Sequence, residues 1–247
     1  MHKLGHTRSV SRRDHLLHTP DTFIRTPLPA LTGGAAIVHI GPAAGADFTQ
    51  YTIEMETGGV LKSGFESDGG VQRFVYVLEG ELTLNIPGRS ETLSPRAYAY
   101  LPASLAHELT ASAPACAAII ERAPAAAEAP LLIAHEDAVA PAPLAGDPDL
   151  LVRALLPDHP ARNFAVNTMT YQPGAALSMV EVHVMEHGLL MLEGGGIYRL
   201  GDQWYPVAAG DFIWMGPFCP QWFGALGKQP AKYLIYKDWN EHPLETL

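Results

Sequence analysis

The stretch Ser178-Met-Val-Glu181-Val-His183-Val-Met-Glu-His187-Gly-Leu-Leu-Met-Leu-Glu-Gly194 gathers groups that can hold a metal ion. Glu181 and His183 stand two apart in a β-like run and are expected to share one face, with Val180, Val182 and Val184 on the other. His187 follows four residues later, across a bend expected at Glu186–Gly188. One carboxylate and two imidazoles suit a borderline or hard divalent ion. A solvated helical His pair fits poorly, because three valines accompany it and no helix start signal precedes it. A structural metal or an inert polar cluster stays open on residue types alone.

The rest of such a site is expected from Gly210-Asp211-Phe-Ile-Trp-Met-Gly-Pro217-Phe-Cys-Pro-Gln221. Gly210-Asp211 is a turn signal, the strand after it ends at prolines, and Gln221 comes next. A lone Gln at a strand start is ordinarily just polar. Its spacing gives it interest, because Gln221 lies 27 residues after Gly194, as His107 lies 27 after Gly80. Leu78-Glu79-Gly80 recurs as Leu192-Glu193-Gly194 at an offset of 114, shared by Met55 and Met169. These matches indicate an internal duplication. Cys219, between Phe218 and Pro220, reads as a buried thiol rather than a nucleophile.

The elements around these motifs read as strands. Phe48–Met55, Arg73–Leu78 and Glu81–Ile86 are expected in the first half. Asn163–Tyr171, Met179–Val184, Leu189–Leu192, Ile197–Leu200, Asp211–Met215 and Tyr233–Tyr236 are expected in the second. Residues 123–147 hold ten Ala and four Pro and read as a linker. The division is an arm over 1–28, an all-β unit over 29–122, that linker, and a second all-β unit over 148–247. The arm carries five Lys/Arg against two Asp. Its histidines, His2, His6, His15 and His18, have no carboxylate or Cys at ligand spacing and read as solvated. The arm is expected to lie on the body or on a partner subunit.

Composition bounds the function. With 247 residues, 47% apolar and a net charge of −10, the chain can fold around a core and lacks the basic face that nucleic acid or an anionic membrane requires. Two cysteines exclude a disulfide scaffold. No apolar run reaches the roughly 18–20 residues of a membrane-spanning helix, and the arm lacks the apolar stretch of a secretory signal. A cytoplasmic protein acting on a small molecule is expected, and exposed sheet edges suggest a homo-oligomer.

The two motifs resemble those of cupins, with Glu181, His183, His187 and Gln221 at metal-ligand positions and Gly194 closing the first motif. Glu, His and Gln replace the usual His, Glu and His. That pattern, with Gly196-Ile-Tyr-Arg-Leu-Gly-Asp-Gln-Trp-Tyr-Pro-Val and Tyr233-Leu-Ile-Tyr-Lys-Asp, resembles the (S)-ureidoglycine aminohydrolase family. The resemblance implies two tandem cupin jelly-roll barrels. It implies Mn2+ on Glu181, His183, His187 and Gln221, with substrate contacts from Glu181, Gln221, Tyr233 and Lys237. Glu181 and Lys237 are the expected catalytic residues. The implied reaction releases ammonia from (S)-ureidoglycine to give (S)-ureidoglycolate in purine (allantoin) catabolism. A cupin dioxygenase and a non-enzymatic small-molecule-binding bicupin are the alternatives. The offset of 114 puts Ser67, Gly69 and Arg73 where the second unit has Glu181, His183 and His187, leaving His107 as the first unit's remaining candidate ligand. That unit is expected to be metal-free and structural.

Overall fold

The structure, a computed structural model, describes residues 6–63 and 70–240. Ser67, Gly69 and His2 therefore lie outside the described residues. Strands β1 (Val10–Ser11) and β2 (His15–His18) come from the arm. There follow β3 (Arg25–Thr26), β4 (Leu31–Ile40), β5 (Thr49–Lys62), β6 (Gln72–Glu79), β7 (Leu82–Ile86), β8 (Arg89–Leu93), β9 (Ala97–Leu101), β10 (Glu108–Thr110), β11 (Ala115–Arg122) and β12 (Leu132–His135). The later strands are β13 (Ala142–Leu144), β14 (Asp147–Leu156), β15 (Phe164–Tyr171), β16 (His187–Glu193) and β17 (Gly195–Leu200). They end with β18 (Gln203–Ala208), β19 (Phe212–Met215), β20 (Gln221–Ala225) and β21 (Ala231–Asp238). The protein is all-β, as the expected pair of cupin units requires. Among the described residues no helix is long and apolar enough to cross a membrane.

One compact unit comprises 24–139 with 159–163. Its sheet runs β12-β9-β6-β11-β5-β10-β7-β8, with β4 also on β5. Alternate residues of these strands, among them Ile53, Val75, Val77, Leu84, Ala99 and Ile119, fill its interior at full burial. The stretch read as a linker supplies β12 to this unit, pairing with β9, and β13 to the other. Backbone pairing at these points outweighs the weak strand preference of Ala and Pro.

The other unit comprises 1–23, 140–158 and 164–247. Its main sheet runs β1-β2-β19-β16-β21-β15-β14-β13, and β18-β17-β20 form a second sheet. The arm thus supplies two strands to this sheet, with Leu17 opposite Ile213 and His15 opposite Met215. Arg8 fastens it further, its Nη2 donating to Asp211 Oδ1 at 2.8 Å. His15 is only 2% exposed, carried inside on the same face of β2 as the fully buried Leu17, and His18 is half-buried with its Nδ1 atom enclosed, so these two histidines are not solvated. His6 is exposed.

The units repeat each other in register. Arg73 faces Glu121 across β6–β11 as His187 faces Lys237 across β16–β21. Gly80 and Gly194 both hold left-handed backbone, φ 71° and 63°. A Cβ on either would crowd the next strand, at 2.8 Å from Ala115 Cα and 2.9 Å from Ala231 Cα. One expected strand is not formed. Over Met179–Val184 the chain makes only the single Glu181–Gln221 bridge, and Val180 and Val182 are 37% and 57% exposed. The residues alternate, but only Glu181 pairs with the neighbouring β20, at its first residue Gln221, so the segment is a loop.

Candidate active site and metal centre

Four elements converge inside the second barrel. His187 opens β16, its position set by pairing with both Met215 and Lys237. His183 sits in the loop before it, held where the Phe218 N–H donates to the His183 carbonyl at 2.8 Å. Phe218 takes a left-handed φ of 62° there, a strained conformation for an aromatic residue. Gln221 opens β20 and exchanges both backbone hydrogen bonds with Glu181, at 2.8 and 2.9 Å. The bend before His187 is fixed by the buried Glu186 carboxylate, which accepts from Trp214 Nε1 at 3.0 Å.

Three side-chain nitrogens meet. His183 Nε2 lies 3.1 Å from His187 Nε2 and 2.7 Å from the Gln221 amide. His187 Nδ1 donates to the Tyr236 carbonyl at 3.2 Å, which leaves its Nε2 as a lone pair. His183 Nε2 cannot both donate to that lone pair and accept from the Gln221 amide. Its own Nδ1 is buried without a partner. Burial first, then His183 and Lys237, push the His187 imidazole down to about 3, so it is neutral at neutral pH. Two imidazole nitrogens aimed at one point are a fit for a cation rather than for each other. Turning the Gln221 amide would add Oε1 to that donor set and leave Nε2 for Tyr198, whose hydroxyl now donates to Oε1 at 3.2 Å.

Glu181 is half-buried, and its charge is felt by Tyr171, Tyr198, Tyr233 and Lys237. Its carboxylate does not complete a tight trio with the imidazoles. Among the described residues the trio of His, Cys, Asp or Glu atoms within 4.8 Å of one another is Asp14, His15 and Cys219. Tyr233 and Lys237 lie two pleats apart on β21, on one face. Lys237 is half-buried, with Nζ 4.4 Å from the Trp239 ring centre. Its ammonium is pulled down chiefly by burial, against the upward pull of Asp158 and Glu181.

Sequence reasoning missed Tyr171 and Tyr198. The Tyr171 and Tyr233 hydroxyls lie 2.7 Å apart. Burial pushes all three phenols up, so they stay protonated donors in a barrel lined by Met191, Met215 and Phe223. Their alternation with apolar neighbours was the available signal, but buried Tyr is common in cores. Phe212 and Trp214, adjacent in the same segment, take the alternate positions of β19 outside this core cluster. Cys219 is buried, 5% exposed.

In the first barrel the corresponding place is filled from within. Arg73, 2% exposed, lies 2.6 Å from Glu121 and donates to His107 Nε2 at 2.7 Å and to the Lys62 carbonyl at 3.1 Å. Glu121 also accepts from the Tyr51 hydroxyl at 2.9 Å. Burial and Arg73 hold the His107 imidazole down at about 4.

The Cupin domain family matches residues 167–236. Over 246 residues the chain is 42% identical to the (S)-ureidoglycine aminohydrolase of Arabidopsis thaliana, covering 97% of this chain and 80% of that protein. It is 28% identical to the (S)-ureidoglycine aminohydrolase of Escherichia coli K12, over 96% of this chain and 93% of that protein. The crystal structure of protein Ylba from E. coli matches it with a TM-score of 0.82, at 26% identity and over 95% of both chains. Identity at this level along nearly the whole length means that the chain belongs to the (S)-ureidoglycine aminohydrolase family.

Proposed function

We propose that this protein hydrolyses (S)-ureidoglycine to (S)-ureidoglycolate and ammonia in purine catabolism, using a divalent ion, manganese, held by Glu181, His183, His187 and Gln221. The observation that carries the metal is the meeting of His183 Nε2 and His187 Nε2 at 3.1 Å beside the Gln221 amide. Half exposure leaves Glu181 free to turn its carboxylate toward the same point. The ion would supply a fixed positive charge that orients the substrate and polarises an attached oxygen or nitrogen.

The chain's own groups do the rest. Lys237 is a point-charge partner for the substrate carboxylate. The Tyr233 hydroxyl, backed by Tyr171, donates a hydrogen bond to the substrate. Together they fix which face of the reacting carbon meets water. The substrate ammonium leaves as ammonia with the C–N electron pair, while the ureido nitrogen lone pair stabilises the carbon left behind. Water adds its oxygen to that carbon, and Glu181 accepts the proton it sheds. Met215 and Phe223 keep other water out. Cytoplasmic placement and homo-oligomeric assembly belong to the same proposal, the latter because β8 and β13 each end a sheet.

Ammonia release from freshly generated ureidoglycine tests the reading, with manganese, after chelation, and for Glu181→Ala. Release that needs metal and Glu181 and yields one ureidoglycolate enantiomer is expected. A folded, metal-loaded protein no faster than the spontaneous reaction overturns it.

A further inference from the structure

We propose that Asp14, His15 and Cys219 form a second metal site, for a thiophilic divalent cation of the zinc class, which ties the N-terminal hairpin to the barrel of its own unit. The three ligand atoms lie within 4.8 Å of one another although they come from opposite ends of the chain. His15 is 2% and Cys219 5% exposed. His15 Nδ1 lies 3.0 Å from Asp14 Oδ1. On the far side of the ring, Nε2 lies 2.9 Å from the Tyr205 hydroxyl. That hydroxyl can accept as readily as it donates, so the ring can hand its proton to the Tyr205 side and present Nδ1 to a metal.

The surroundings are built to this arrangement. Asp14 is locked by its own carbonyl, which accepts from the Gly216 N–H at 2.9 Å. Gly201, at φ 61°, forms the wall opposite; a Cβ there would stand 3.1 Å from Asp14 Oδ2. An open recess of about 430 Å³ adjoins Asp14 and His15 and is also lined by Arg12, Arg13, Asp202 and Gln203. It gives a fourth position to water or a small anion, with the two arginines balancing an anion. Carboxylate, imidazole and thiolate are the donors zinc and cobalt take in four-coordinate sites. The set differs in kind from the all-O/N donors at His183, so the two sites sort metals by softness.

The test is a cobalt(II) titration of the metal-stripped full-length protein, read by optical absorption. The expected result is a near-ultraviolet thiolate-to-cobalt band saturating at one equivalent per chain. The band should survive Cys116→Ser and vanish in Cys219→Ser. Asp14 is half-exposed, so Asp14→Asn should leave circular dichroism unchanged while weakening the cobalt band's affinity at least ~10-fold. Manganese should produce no such band. Absence of the band in wild type, its persistence in Cys219→Ser, or equal cobalt affinity in folded Asp14→Asn overturns the site and leaves a hydrogen-bonded pin.

Discussion

The two barrels place different chemistry at one register. Across β6–β11 the pair is Arg73 and Glu121, while across β16–β21 it is His187 and Lys237. In the first barrel the cation is part of the chain: the guanidinium is already neutralised by Glu121 and capped by His107. In the second, the central groups are the imidazoles of His183 and His187, and the cation stands on the opposite strand, where Lys237 is offset by the charges of Asp158 and Glu181. The first site has satisfied its own charges. The second asks for an outside cation at the imidazoles and an outside anion at the lysine. A duplicated scaffold can thus fill its polar centre with a side-chain ion pair in one copy and leave it lined by imidazoles in the other.

Breaking the contrast should have graded effects. His187→Ala should remove metal and lower ammonia release by on the order of 10⁴-fold, read by metal analysis and steady-state kinetics. Arg73→Met leaves the Glu121 carboxylate without its buried partner and should destabilise the protein by about 3–5 kcal/mol in denaturant titration. Metal bound at His187 should be unaffected by that change, and Arg73→Met with Glu121→Gln should recover much of the loss.

The buried His107 sharpens the comparison through pH. Its folded value, about 4, lies below the ordinary 6.5, so the unfolded chain binds the proton more tightly. Stability should be unaffected by this group above pH 6.5 and fall as pH drops from 6.5 toward 4, by up to about 3 kcal/mol. His107→Gln should flatten that part of the stability–pH curve. Lys237→Met should raise KM and lower kcat/KM roughly 100-fold with metal content intact. Equal loss of metal and activity would sink the assigned role of Lys237. Smallest, Tyr171→Phe removes one hydrogen bond to Tyr233 and should reduce kcat/KM about 5-fold, near 1 kcal/mol.

Much of this was legible in the chain. The 27-residue spacing from Gly80 to His107 and from Gly194 to Gln221 reflects equivalent strands, and the two glycines share one backbone conformation. His183, His187 and Gln221 meet as their spacing suggested. What could not be read depends on partners remote in sequence. Val180 and Val182 alternate with polar residues like a strand, yet only Glu181 in that run finds a bridge partner. His15 looked solvated because Tyr205 and Cys219 lie some 200 residues away. Arg73 stood in the chain simply at the offset position of His187; its contacts with Glu121 and His107, remote in sequence, are what fill that place with an ion pair.

The pairing of β2 with β19 also sets an order of assembly. Leu16 is made almost 200 residues before its partner Trp214. At roughly 5–20 residues per second, synthesis would leave the hairpin waiting about 10–40 s. Residues 24–139 emerge in that interval with nearly all of their own unit. A hairpin made before residues 24–139 therefore docks only after them. Its shortness, and Arg12, Arg13 and Asp14 beside it, keep an idle His-Leu-Leu-His strand from pairing with a neighbouring nascent chain.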